Sequence, residues 1–269
     1  SLFGGGVAIG RLLRLDSQRG DYRRSWENHN LATLERLRQL DEHPEGERPY
    51  LIVSLGDSSV QGMGASRVTE SYPARLASAI TQQMDREVLL LNLSLSGATI
   101  ESVELTQLPQ MRGLGLLDGP YRPDLVTLTI GGNDVMAEDM APGQFEERLR
   151  RILAALPSGA LVSTIPSFGI MPQESRAQDM SDRIRAAVED SDAHLVDLRS
   201  LTQEYSLPTY TFAYHAADFF HPNSAAYAKW AQLFADAWAE SRREPAPVVE
   251  DAPQWDMLSA RVAQSEYDD

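Results

Sequence analysis

The sequence predicts an α/β protein, a five-stranded parallel sheet with helices on both faces. Three observations predict it. Short apolar runs recur at residues 50–55, 88–93, 125–130, 160–165 and 194–198, and uninterrupted apolar character marks strands buried on both faces. Segments of helical length separate these runs, which implies right-handed crossovers between parallel neighbours. Polar, glycine-bearing stretches stand just past three of the runs, at 56–59, 94–97 and 131–134. Ligands of open parallel sheets bind there, beyond the carboxyl ends of the strands.

The elements follow in order. Trp26, Leu31, Leu34, Leu37 and Leu40 fall at near-helical spacing with Glu27, Glu35, Arg36 and Arg38 between them, the pattern of an amphipathic helix. Residues 41–49 form a polar break with proline and glycine, a loop signal. A helix is expected over 71–84, with Ser71 as N-cap and Pro73 tolerated in the first turn. A second is expected over 99–108, followed by a Gly- and Pro-bearing loop over 109–123. Helices over 142–156, 174–189 and 224–239 complete the pattern. The chain thus divides into an N-terminal extension with a helix (1–49), a main domain (50–243) and an acidic tail (244–269). The tail, with Pro245, Pro247 and Pro253 among acids, reads as partly extended, and Trp255, Met257, Leu258 and Val262 are its candidate anchors.

Composition narrows the function classes. The chain has 269 residues, 42 % hydrophobic and 23 % charged, enough for a substantial core without covalent staples. It has no cysteine, which removes disulfides, thiolate metal sites and cysteine nucleophiles. A net charge of −15 argues against general affinity for nucleic acid, which needs a basic footprint. No stretch is long and apolar enough to span a bilayer. The chain begins at Ser1, and residues 2–10 are apolar, followed by Arg11 and Arg14. That opening reads equally as the last part of a removed signal or anchor segment and as a flexible end or strand edge. Membrane association is expected only through such a segment, and export or a cytoplasmic location both remain open.

Five residues, in four blocks, carry chemistry. Ser58 follows the first core strand in Gly56-Asp57-Ser58-Ser59, where Gly56 permits a tight turn; the plain alternative is a helix N-cap. Asp218 stands three residues before His221, close enough to reach Nδ1 and leave Nε2 facing a serine. A serine hydroxyl is inert at neutral pH unless an imidazole takes its proton, and a carboxylate fixes that imidazole's tautomer. His29, His43, His194 and His215 lack an acid three residues earlier and read as structural or solvated. Gly97 and Asn133 are candidate oxyanion donors, through a backbone N–H and a side-chain amide, beside the backbone N–H of Ser58; Gly131-Gly132-Asn133 is otherwise a turn sequence.

In this order the four blocks resemble the SGNH hydrolases, the GDSL esterase/lipase family. The resemblance covers about residues 50–240, with Ser59 where the family name has leucine. It implies a flavodoxin-like three-layer α/β/α sandwich with a five-stranded parallel sheet. It also implies a Ser58–His221–Asp218 triad, and an oxyanion hole of Ser58, Gly97 and Asn133. Asp57 is read as a structural hydrogen-bonder near the nucleophile, with Asp134 and Asp197 as weaker candidates for the acid.

The implied reaction is hydrolysis of carboxylic esters of short or medium acyl chain, lipids included, with no metal or organic cofactor. An acyltransferase or a carbohydrate acetylesterase with the same triad are the alternatives, and a non-catalytic binding module is a further one. Met136, Met140, Phe168, Ile170 and Met171, in loops after the third and fourth strands, are candidate acyl-pocket residues, flexible methionines suiting varied chains; ordinary core packing is the competing reading. No Gly-x-Ser-x-Gly elbow is present, which disfavours the larger α/β-hydrolase fold. Gly4-Gly5-Gly6 lacks the spacing of a dinucleotide fingerprint.

Overall fold

The computed structural model describes residues 3–42, 47–137, 139–204 and 221–258, with side chains from Ser17 onward. Five strands, β1 (Tyr50–Gly56), β2 (Val88–Asn92), β3 (Leu125–Thr129), β4 (Leu161–Ser163) and β5 (His194–Val196), form one parallel sheet in the order β2-β1-β3-β4-β5. This is the flavodoxin-like order, with its topological switch point between β1 and β3. Ile52 sets the register, opposite Leu90 on one side and Leu125 on the other.

The apolar runs are strands because both their faces are covered. Leu51, Val53 and Leu55 pack into one core; Tyr50 and Ile52 pack into the other. The helices, in chain order, are α1 (Phe3–Glu42), α2 (Tyr72–Met84), α3 (Ile100–Ser102), α4 (Leu108–Gly113), α5 (Gly132–Met136), α6 (Pro142–Ala155), α7 (Glu174–Glu189), α8 (Leu198–Gln203) and α9 (Ser224–Arg242). Tyr72, Leu76 and Ile80 of α2 meet Tyr227, Trp230, Phe234 and Trp238 of α9 over one face. Ile100, Met111, Leu149, Ile152 and Ile184, from α3, α4, α6 and α7, cover the other. Polar residues inside the strands satisfy one another. Thr127 donates to Ser54 at 2.8 Å, Ser163 donates to Thr129 at 3.1 Å, and the Tyr72 hydroxyl lies 3.0 Å from Thr129 Oγ1.

Two expectations need correction. Helical structure does not stop at residue 108: a π-helical turn, Val103–Gln107, joins α3 to α4, which runs to Gly113. Pro109 sits at the start of α4, where its missing N–H is tolerated. The opening residues from Phe3 belong to the backbone of α1, a helix of 40 residues, not to a strand edge. Among the described residues no helix is long and apolar enough to cross a membrane.

The buried stripe of α1 also differs from the leucine stripe. Tyr22, Trp26, His29, Thr33 and Leu37 are buried, and Leu31 is 67 % exposed. The reason is that α1 lies along β2, the edge of the sheet, where unpaired backbone groups need polar partners. The Asn30 amide donates to the Asn92 carbonyl at 2.7 Å and accepts the Asn92 N–H at 2.9 Å. His29 Nε2 lies 2.9 Å from the Leu90 carbonyl, while Nδ1 accepts the Leu258 N–H at 3.2 Å; these two bonds fix the Nε2–H tautomer. The C-terminal segment packs back on the same region: Trp255 and Met257 are buried, and Ser78 donates to the Pro253 carbonyl at 2.6 Å.

Replacing Asn30 by alanine leaves both Asn92 backbone groups without that partner. The expected loss is about 1–3 kcal/mol of stability, read from the urea midpoint; an unchanged midpoint would mean that solvent satisfies this edge.

Candidate active site

The turn that carries Ser58 is set by Gly56, the last residue of β1. Its φ of +140° is open to glycine alone, and a Cβ there would lie 1.9 Å from the Thr129 carbonyl oxygen. The chain then leaves the sheet in tight turns: Val60 N–H and Gln61 N–H reach the Asp57 carbonyl, and Met63 N–H reaches that of Ser58. Ser58 is mostly buried. Its Oγ lies 2.9 Å from His221 Nε2, across 163 residues of chain.

His221 is delivered by the start of α9. Pro222 holds the preceding residue out of helical geometry, and Asn223 caps the helix, its side chain accepting Ala225 N–H and Ala226 N–H at 3.0 Å each. The first turn of α9 is tied to the chain just past Ser58. Tyr227 donates to the Met63 carbonyl at 2.8 Å, the Ser224 hydroxyl accepts Ser66 N–H at 2.9 Å, and it donates to Glu70. Asp218 lies outside the described residues, as do His43 and His215.

The other two loops converge on the same turn. Gly97, exposed and with φ +81°, sits in a loop fastened by Gln61, whose amide donates to the Ser94 carbonyl at 2.9 Å and accepts from the Ser96 hydroxyl at 2.6 Å. Asn92 reinforces it, donating to the Val60 carbonyl at 2.9 Å and accepting Ser94 N–H at 3.1 Å. Asn133 lies in the first turn of α5, which opens at Gly131 with φ +116°. A Cβ at Gly131 would come within 2.6 Å of the Ile165 side chain. One Asn133 amide N–H donates to the Ala98 carbonyl at 2.8 Å, so that side chain is held against the Gly97 loop. The loops that carry Ser58, Gly97 and Asn133 therefore gather at the carboxyl ends of β1, β2 and β3, where His221 reaches Ser58.

The acids divide by environment. Asp57 is buried; its Oδ1 accepts the Ser59 N–H at 2.9 Å and the Ser59 hydroxyl at 2.7 Å. Burial raises its pKa, against those two bonds and the attraction of His221. Asp134 is fully buried, and its two oxygens share the Ile100 N–H at 3.0 and 3.1 Å, fixing the helix that follows Gly97. Asp197 is remote in role. It caps α8 through Ser200 N–H and bonds Arg185 at 3.0 Å. Burial alone would raise its pKa, but hydrogen bonds from Ser200, Thr164 and Arg185 hold it below the ordinary carboxylate value.

Several supporting residues gave no motif signal. Gln61 and Asn92 tie the loops together, and Arg176 Nη2 donates to the carbonyls of Asp134 (3.1 Å), Ala137 (2.9 Å) and Met140, gathering the chain after Asn133. Of the candidate acyl-pocket residues, Phe168 is core. Met140 and Met171 are partly buried against the core, while Met136 and Ile170 are 42 % and 82 % exposed.

Burial pushes the Asp134 pKa up from 3.8 to about 6, the Ile100 N–H opposing it. A carboxyl group with a raised folded pKa favours the fold while protonated, so its contribution is complete below its unfolded pKa and is lost as pH rises through the folded value. Relative to Asp134→Asn, the wild-type protein should therefore lose up to about 3 kcal/mol between about pH 4 and pH 7. Denaturant unfolding of both proteins across that range checks it; a constant difference would mean that the group does not titrate there.

A search of curated proteins finds no significant match. Among solved structures, an alpha/beta hydrolase enzyme from the metagenome of Lake Arreo, Spain, is 23 % identical, with a TM-score of 0.56 over 72 % of this chain and 97 % of that one. A lipase/acylhydrolase from Enterococcus faecalis is 20 % identical, with a TM-score of 0.57 over 72 % and 96 %. An acetylxylan esterase from Geobacillus stearothermophilus is 17 % identical, with a TM-score of 0.53 over 70 % and 94 %. These likenesses are of fold. The profile of the GDSL-like Lipase/Acylhydrolase family matches residues 54–229, from the carboxyl half of β1 to the first turns of α9, and the chain belongs to that family, the SGNH hydrolases.

Proposed function

We propose that the protein is a serine esterase that hydrolyses carboxylic esters of short or medium acyl chain through an acyl-enzyme. The observation that carries this reading is the 2.9 Å contact between Ser58 Oγ and His221 Nε2, within the distance a general base needs. His221 takes the Ser58 proton as Oγ attacks the ester carbonyl. The Ser58 and Gly97 N–H groups and the Asn133 amide receive the oxyanion, each donor worth about 3 kcal/mol of barrier. Asp218 holds the imidazole tautomer and stabilises the imidazolium. His221 then protonates the leaving alcohol, and water, activated by the same imidazole, releases the acid. No step calls for a metal or organic cofactor.

An apolar rim supports an acyl rather than a strongly polar substrate group. Met136, at the end of α5, and Ile170, on the loop after β4, are exposed, while Met140 and Met171 are partly buried against the core.

Ser58→Ala should lower turnover of a p-nitrophenyl ester by about 10⁴-fold or more with the circular dichroism spectrum unchanged; retained turnover removes Ser58 from the mechanism. Asp218→Asn should cost about 10³- to 10⁴-fold in kcat, and an undiminished rate assigns the acid elsewhere. A series of p-nitrophenyl esters of increasing acyl length, run on the wild type and on Ile170→Asp, tests the rim. The expected outcome is a preference that shifts to the shortest ester in the variant, and identical series would take Ile170 out of substrate binding. Product analysis with an added alcohol separates hydrolysis from acyl transfer.

A further inference from the structure

The helical run after the Gly97 loop changes pitch in its middle. At the π-helical turn Val103–Gln107, Leu108 N–H reaches five residues back to the Val103 carbonyl. Such turns insert one extra residue into a helix and recur near functional sites. On the outer side the turn is clamped by Glu104, which takes Arg151 Nε at 2.6 Å and Arg148 as well. On the inner side it presents Gln107, fully buried at 0 % exposure among Ile100, Val103, Leu108 and Met111.

Both ends of the Gln107 amide go to one residue. Oε1 accepts the Gly56 N–H at 2.8 Å, and Nε2 donates to the Gly56 carbonyl at 2.8 Å. That carbonyl also accepts Leu95 N–H at 3.1 Å, from the loop that carries Gly97. Gly56 is the hinge from strand to nucleophile and occupies a backbone region that no side chain stabilises. A glycine so placed is free to rotate unless its amide groups are held from outside. Burying a carboxamide is costly without full pairing, and a leucine would fill the same space. Filling space therefore does not account for Gln107; pairing both groups of Gly56 does.

We propose that Gln107 is a positioning residue for the nucleophile. Its amide fixes the plane of the Gly56 backbone and with it the direction in which Ser58 leaves the sheet. The alignment of both the Ser58 Oγ, against His221, and the Ser58 N–H, in the oxyanion site, depends on this contact, which Leu95 N–H supports at the same carbonyl. The inference rests on Ser58 being the nucleophile, as proposed above.

The test compares wild type, Gln107→Met, Gln107→Glu and Ser58→Ala, with kcat expressed per site titrated by an organophosphonate for the forms that keep Ser58, so that misfolded protein is not counted, and per mole of protein for Ser58→Ala. Gln107→Met, which fills the space but pairs with neither group, should lose about 10- to 100-fold in kcat, with KM within about threefold of wild type. Its rate of phosphonylation should fall by the same factor. Gln107→Glu reproduces both bonds when protonated and loses the donor when ionised. At about pH 5 its kcat should stand within about threefold of wild type, far above that of Gln107→Met. Gln107→Met with wild-type kcat, a loss confined to KM, or Gln107→Glu as impaired as Gln107→Met at the lower pH would each overturn the proposal. Should Gln107→Met not fold, Gln107→Glu against wild type at the lower pH decides alone. An active Ser58→Ala brings down the nucleophile assignment itself; an inactive Ser58→Ala beside a fully active Gln107→Met brings down only the positioning role.

Discussion

Ser58 and His221 stand 163 residues apart and meet at 2.9 Å, and most of the molecule can be understood as what makes that meeting permanent. The serine end is rigid because β1 is buried on both faces and paired on both edges. The histidine end is rigid because α9 is capped by Asn223 and bound by Tyr227, Ser224 and their partners to the chain that follows the serine. The two ends thus share a short mechanical loop through Met63 and Ser66, far tighter than the sequence distance between them. A base held at hydrogen-bond distance needs no reorganisation when substrate arrives, and that preorganisation is the main physical resource of an acyl-transfer site.

Carboxamides do unusual service in this fold. Asn30 pairs both backbone groups of Asn92, and Gln107 pairs both backbone groups of Gly56. In each case a side chain from a helix supplies the donor and acceptor of a strand, on the outer flank of β2 for Asn92 and past the end of β2 for Gly56. Asn92 and Gln61 extend the pattern by stitching the nucleophile turn to the Gly97 loop. The polar residues that a composition-based reading assigns to the surface are here among the interior fastenings.

The sheet and the family were legible because they rest on local signals: apolar runs bounded by turn residues, and short motifs placed just after them. The bounds of α7, Glu174–Glu189, follow from its spacing alone. Other features depend on what lies across the fold. Leu31 fits a helical stripe in the sequence yet faces solvent, because the edge of β2 demands His29, Asn30 and Thr33 on the covered side. Pro109 reads as a helix end, but a wide turn before it lets the helix continue. Gln107 did leave a trace, a polar residue on the inward face otherwise set by Ile100, Val103 and Met111. What it binds could be learned only from the fold.

The stretch that matches the family begins inside β1 and ends inside α9, whereas the bonds that close the open flank of β2 come from α1, and Leu258 locks the histidine of that helix in place. Motif boundaries and folding boundaries are therefore different things in this chain. A fragment trimmed to the motifs would carry every proposed reacting group and still present a naked row of amides and carbonyls, open to intermolecular strand addition and fibrous self-association.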